Sequence, residues 1–104
     1  MFQTISPLQA QELINRNEVD VVDVREQNEW LTGRVPGSRL VPLAELRASP
    51  KQALPRDGII FVCAAGVRSQ SAARLALENG HTHVYNLNGG TRNWVRSGLP
   101  LAHD

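Results

Sequence analysis

The sequence predicts an α/β fold of three layers, with a mostly parallel central sheet of about five strands and helices on both faces. Strand-like and helix-like segments alternate along the chain, the order that parallel sheets with helical crossovers produce. Ile59-Ile60-Phe61-Val62 is apolar at every position, which suits a strand covered on both sides. The chain has 104 residues, too few for two ordinary units, so residues 1–104 are read as one domain.

The elements follow in order. Ser6 is placed to cap a helix, with Pro7 at its first position and Gln9 closing a capping box. Leu8, Ala10, Leu13 and Ile14 give that helix an apolar side. Val19 to Val24 is rich in β-branched residues and reads as a buried strand. Arg25 to Leu31 reads as a short helix, and Gly33-Arg34-Val35-Pro36-Gly37 as a turn. Leu40-Val41 is a brief strand, and Pro42 to Leu46 starts a helix. The stretch from Ala48 to Gly58, with two prolines, is a connection. Ile59 to Val62 is the strongest strand, and Ser69 to Asn79 a helix stopped by Gly80. His83 to Leu87 is a further strand, and Thr91 to Arg96 a last helix ended by Gly98 and Pro100.

Composition narrows the function. Hydrophobic residues make up 41% and charged residues 20%, an ordinary globular mixture. Eleven Lys+Arg against ten Asp+Glu leave a net charge of +1, which gives no basic surface for nucleic acid. The longest apolar run, Ile59 to Ala65, falls far short of the roughly 20 residues a membrane span needs. The N-terminus has neither a basic start nor an apolar core, so no signal peptide is read and a cytoplasmic protein is expected. Cys63 is the one cysteine, which excludes an internal disulfide and a cysteine zinc cluster.

Parallel sheets bind ligands beyond the carboxyl ends of their strands. The segment in that place after the central strand is Cys63-Ala64-Ala65-Gly66-Val67-Arg68-Ser69. It must curl back over the start of the next helix, and Gly66 supplies the positive φ that such a curl needs. Successive backbone N–H groups then face inward as an anion nest, reinforced by the helix dipole and by the guanidinium of Arg68. A thiol in that setting is partly ionised near neutral pH and nucleophilic. The plainer alternatives are a Cys63 that is an inert core residue and an Arg68 that pairs with a surface carboxylate.

With these residues the chain resembles a single-domain rhodanese, a thiosulfate sulfurtransferase. Asp23-Val24-Arg25-Glu26 with Glu29-Trp30 is similar to the family's first signature. Gly33-Arg34-Val35-Pro36-Gly37-Ser38, followed by Val41-Pro42-Leu43, is similar to its Gly-His-Ile-Pro-Gly-Ala segment. Cys63 to Ser69 matches its loop Cys-x-x-Gly-x-Arg-Ser. Gly89-Gly90 with Trp94 and Gly98-Leu99-Pro100 matches its C-terminal signature. The resemblance implies a rhodanese-like three-layer domain and a Cys63 thiolate that takes the outer sulfur of thiosulfate, releases sulfite and holds a persulfide. Cyanide, a thiol or a protein then accepts the sulfur. It implies that the amides of Ala64, Ala65, Gly66, Val67 and Arg68 bind the substrate anion, and that Arg68 helps hold it. Asp23, Arg25 and Ser69 are expected to support the loop. No metal and no organic cofactor is implied, and the oligomeric state is left open.

The chain departs from the family pattern in places. Arg34 stands where the family usually has His, and Ser38 where it usually has Ala. Ala64 and Ala65 put no basic side chain in the loop, so weak thiosulfate binding is expected. Two rival functions are a phosphatase of the Cys-x5-Arg type, against which the spacing here is Cys-x4-Arg, and a persulfide relay fed by a protein donor. His81 and His83 read as exposed strand-end residues rather than metal ligands, and His103 as part of a frayed tail. Trp30 and Trp94 read as core or half-buried packing.

Overall fold

The structure, a computed structural model, describes residues 1–103. Its elements are β1 (Gln3–Ile5), α1 (Pro7–Asn15), β2 (Asp20–Asp23), α2 (Gln27–Trp30), β3 (Arg39–Leu40), α3 (Leu43–Ala48), α4 (Pro50–Ala53), β4 (Ile59–Val62), α5 (Arg68–Glu78), β5 (Val84–Leu87) and α6 (Gly90–Arg96). The five strands form one sheet in the order β1-β5-β4-β2-β3, and every strand pairing is parallel. β4 is therefore the central strand.

Alternation along the strands divides the core into two faces. Val22, Ile59 and Phe61 point one way and pack with Leu46 of α3 and with Ala72, Ala73 and Ala76 of α5. Val21, Ile60 and Val62 point the other way and pack with Ala10 of α1 and Trp94 of α6. The small residues of α5 let that helix lie close on the sheet, which fixes where its first turn meets the end of β4. The two prolines of the connection from Ala48 to Gly58 do not keep it irregular: Pro50 occupies the first position of the one-turn helix α4.

The capping box of α1 forms as the sequence predicts. Ser6 Oγ accepts from the Gln9 amide at 3.1 Å, and Gln9 Oε1 accepts from the Ser6 amide at 2.9 Å. Two expectations need correction. Leu8 is not on the apolar side of α1 but 62% exposed, because Pro7 and Ala10 take the inward row. The tail before Asp104 is not frayed: Ala102 and Arg34 exchange backbone hydrogen bonds of 2.7 and 2.9 Å in an antiparallel bridge.

Candidate active site

β4 ends at Val62 and delivers Cys63 to the carboxyl edge of the sheet, where the chain turns into α5. Gly66 holds the turn with φ +89°, and a Cβ there would lie 2.9 Å from the Gly89 nitrogen. Only glycine fits both the conformation and the space. The turn wraps the amides around the sulfur itself. Cys63 Sγ accepts from the Gly66 amide at 3.1 Å and from the Ser69 amide at 3.4 Å, and Ser69 Oγ lies 3.3 Å away.

Cys63 is only 1% exposed. Burial pushes its pKa up, yet the Ser69 hydroxyl and the amides of Ser69, Gly66 and Ala65 outweigh burial and hold the thiol below its ordinary value. A merely packed cysteine would lack such donors. Of the remaining loop residues, Ala64 is half-buried, Ala65 is exposed and Val67 is 70% exposed, so the last two form a small apolar rim.

Four residues the sequence reading did not assign to the site complete it. Asn86 of β5 is buried; its Oδ1 accepts from the Ser69 hydroxyl, and its Nδ2 points at the Gly66 carbonyl at 3.5 Å. The signal was present, since asparagine is depleted in strands and this one lies inside Val84-Tyr85-Asn86-Leu87. Gly90 presses so close to the loop that a Cβ would come within 2.2 Å of the Cys63 carbonyl oxygen. That carbonyl accepts from the Thr91 amide at 2.8 Å, and the Ala64 carbonyl accepts from the Arg92 amide at 3.1 Å. The first turn of α6 is thus bolted to the loop through the backbone.

The charged residues lie elsewhere than expected. The Arg68 guanidinium forks onto Glu29 of α2 at 2.7 and 2.8 Å. That fork is the main reason the Glu29 carboxyl is lowered from an ordinary 4.5 to about 2, and Glu29 in turn raises the pKa of Arg68. Asp23 and Arg25 form a buried ion pair of 2.8 Å, and the Arg25 guanidinium also donates to the carbonyls of Gly33 and Glu29. Among the described residues their side-chain bonds brace the Glu29–Gly33 segment instead of the cysteine loop. Among the described residues their hydrogen bonds lead to that loop through Glu29 and Arg68. His81 is half-buried rather than exposed, and its ring nitrogens lie 3.2 and 3.1 Å from the carbonyls of Ala76 and Leu54. His83 is exposed beside Asp57. Trp94 is buried and donates to the Pro100 carbonyl, whereas Trp30 is half-buried beneath the Arg34 guanidinium.

Comparison with known proteins gives this geometry a family. The Rhodanese-like domain matches residues 6–97, which is most of the chain. The protein belongs to the rhodanese-like family. A thiosulfate sulfurtransferase GlpE from Pseudoalteromonas translucida is 33% identical over 93 residues, 89% of each chain. The crystal structure of a rhodanese-related protein from Thermoplasma volcanium superposes with a TM-score of 0.88 at 29% identity, covering 99% of this chain and 100% of that one. A Rhodopseudomonas palustris protein of unknown function, described as a possible tyrosine phosphatase, superposes with a TM-score of 0.85 at 29% identity, covering 97% and 85%. Among the described residues of this rhodanese-like chain, no helix is long and apolar enough to cross a membrane. Nor, among them, do three or more His, Cys, Asp or Glu side chains gather as a metal site.

Proposed function

We propose that this protein is a sulfurtransferase that carries sulfane sulfur on Cys63 as a persulfide. The observation that carries the reading is the Cys63 sulfur itself, held below its ordinary pKa by the Ser69 hydroxyl and the loop amides. The thiolate attacks the outer sulfur of thiosulfate or a similar sulfane donor. A new S–S bond forms, the old one breaks, and sulfite leaves with its electron pair. Cyanide or a thiol then attacks the outer persulfide sulfur, and Cys63 departs as the thiolate that began the cycle. Atoms and electrons balance in both halves without a metal or an organic cofactor. The loop from Ala64 to Arg68 offers its amides to the donor's oxyanion and afterwards to the persulfide. The family and the sulfurtransferase name of its relative support this reading. A single cysteine that must stay reduced to work fits a reducing compartment such as the cytoplasm.

Arg68 is already committed to Glu29, and no other side chain within the loop is cationic, so the loop itself holds the donor chiefly through backbone dipoles. The expected result is a KM for thiosulfate well above the micromolar range, measured by steady-state turnover with cyanide. A low-micromolar KM would contradict this account of the loop. The same lack of side-chain charge, with the exposed rim of Ala65 and Val67, favours a second reading: a relay whose persulfide is loaded by another protein. A phosphatase is disfavoured by spacing, since Cys63 and Arg68 enclose one residue fewer than the Cys-x5-Arg cradle.

Intact mass spectrometry of the reduced protein, before and after thiosulfate, with Cys63→Ala alongside, tests the proposal. A gain of one sulfur on the wild type alone supports the enzyme. No gain with thiosulfate moves the reading to the relay. No gain with any sulfane donor or persulfidated protein ends the sulfurtransferase proposal.

A further inference from the structure

The ion pairs around the cysteine loop cancel in twos, Arg68 with Glu29 and Arg25 with Asp23. Arg92 and Arg96 of α6 are different. Both are exposed, and neither forms an ion pair among the described residues. They stand four residues apart, hence on one helix face, where like charges repel and weaken the helix. Val95, 51% exposed, lies beside them. Among the described residues the pair has no ion-pair partner in its own fold, so both guanidinium groups are open to a partner outside it.

Its position says what. The Arg92 amide is hydrogen-bonded to the Ala64 carbonyl, so the root of this side chain sits one residue from the nucleophile. Arg92 and Arg96 line a hollow of about 400 Å³ that reaches the loop rim at Ala65. On its other side the same pair lines a second hollow of about 400 Å³ that runs to Thr32 and Gly33. Both hollows are open to solvent and large enough to admit a small molecule. Guanidinium groups fork onto carboxylates.

We propose that Arg92 and Arg96 form an anion-recognition ridge at the mouth of the Cys63 loop, and that it selects small sulfur acceptors carrying carboxylates. The proposal deepens the sulfurtransferase reading and rests on it for the identity of the acceptor. The carboxylates dock on the ridge, and the acceptor thiolate attacks the outer sulfur of the Cys63 persulfide. The S–S bond breaks, Cys63 leaves with the electron pair, and the acceptor departs as a persulfide.

The test has two arms. In the first, persulfide-loaded protein is discharged by mercaptosuccinate, a dicarboxylate thiol, and by neutral 2-mercaptoethanol. The quantity read is the ratio of their second-order rate constants. The ratio is expected to fall about tenfold in Arg92→Glu/Arg96→Glu, the scale of electrostatic steering into a charged site. It should fall partway in Arg92→Gln/Arg96→Gln, whose fold is checked by circular dichroism, and shrink in the wild type as salt rises. The second arm needs no persulfide and therefore survives failure of the sulfurtransferase reading. Iodoacetate and iodoacetamide alkylate Cys63 in the resting protein, and their rate ratio is expected to fall in the same variants. Ratios that do not move in either arm overturn the ridge. So does slower loading by thiosulfate with an unchanged acceptor ratio, which assigns the arginines to the donor.

Discussion

One hydroxyl proton sits at the centre of this site. Ser69 Oγ lies between two acceptors, Cys63 Sγ and Asn86 Oδ1, and has a single hydrogen to give. With Cys63 protonated, the thiol donates to Ser69, which donates on to Asn86. With Cys63 ionised, the hydroxyl turns its proton to the sulfur and gives up the bond to Asn86 Oδ1. Ser69 thus serves both states, and Asn86 positions it while the thiol is protonated. A hydrogen bond to a charged group is worth about 1.5 kcal/mol, close to a tenfold change in ionisation. Ser69→Ala should therefore slow alkylation of Cys63 by iodoacetamide at neutral pH about tenfold and move the midpoint of its rate–pH curve upward. The Ser69 amide still donates in that variant, so an unmoved midpoint would show that the backbone alone sets the thiolate. The sequence made Cys63, Gly66 and Ser69 legible because they fall within seven contiguous residues whose chemistry is local. Asn86 was not legible as a partner, because its role depends on β5 lying beside β4.

At the scale of elements, the loop is held less by its own residues than by the helix that closes over it. Gly90 has φ +62°, and its missing Cβ leaves room for the Cys63 and Ala64 backbone. Gly90→Ala would force both a left-handed alanine, costing of order 1–3 kcal/mol, and an overlap with that backbone. The expected outcome is a loss of more than about 2 kcal/mol in urea unfolding, together with a lost persulfide-loading rate in whatever fraction stays folded. A variant of wild-type stability and activity would mean that α6 is not seated on the loop. The strands show why some elements could be read from sequence and others not. β4 is apolar throughout and β2 and β5 bury mostly apolar residues, with Asp23 and Asn86 the exceptions, so their composition announces them. β1 does not: in Gln3-Thr4-Ile5 only Ile5 is buried, and the segment is a strand because β5 offers it a parallel partner. The Arg68–Glu29 fork joins residues 39 apart, which no local pattern encodes.

Across the whole molecule, two carboxylates tie down opposite ends of the sheet. Glu29 binds the N-terminal turn of α5 at the carboxyl end through Arg68. Asp57 sits just before β4 at the amino end. Against its partial burial, hydrogen bonds from the Thr82 hydroxyl, the Gly58 and His83 amides and the His83 ring lower its pKa. Both groups are more acidic folded than unfolded, so the unfolded chain binds more protons as the pH falls. Their contribution is complete above the ordinary carboxylate pKa, which for Glu29 is 4.5, and drains away as pH drops toward the folded value of about 2. Both side chains are partly exposed, at 29% and 38%, which holds each contribution to about 1 kcal/mol or less. Urea unfolding from about pH 6 to about pH 3 should therefore show a progressive loss of stability in the wild type. Glu29→Gln and Asp57→Asn should each flatten that slope, and the double variant should flatten it by the sum, because groups at opposite ends of a sheet do not share partners. A double variant no flatter than either single one would mean that the two ends do not respond independently, and that one acid-sensitive contact controls the whole domain.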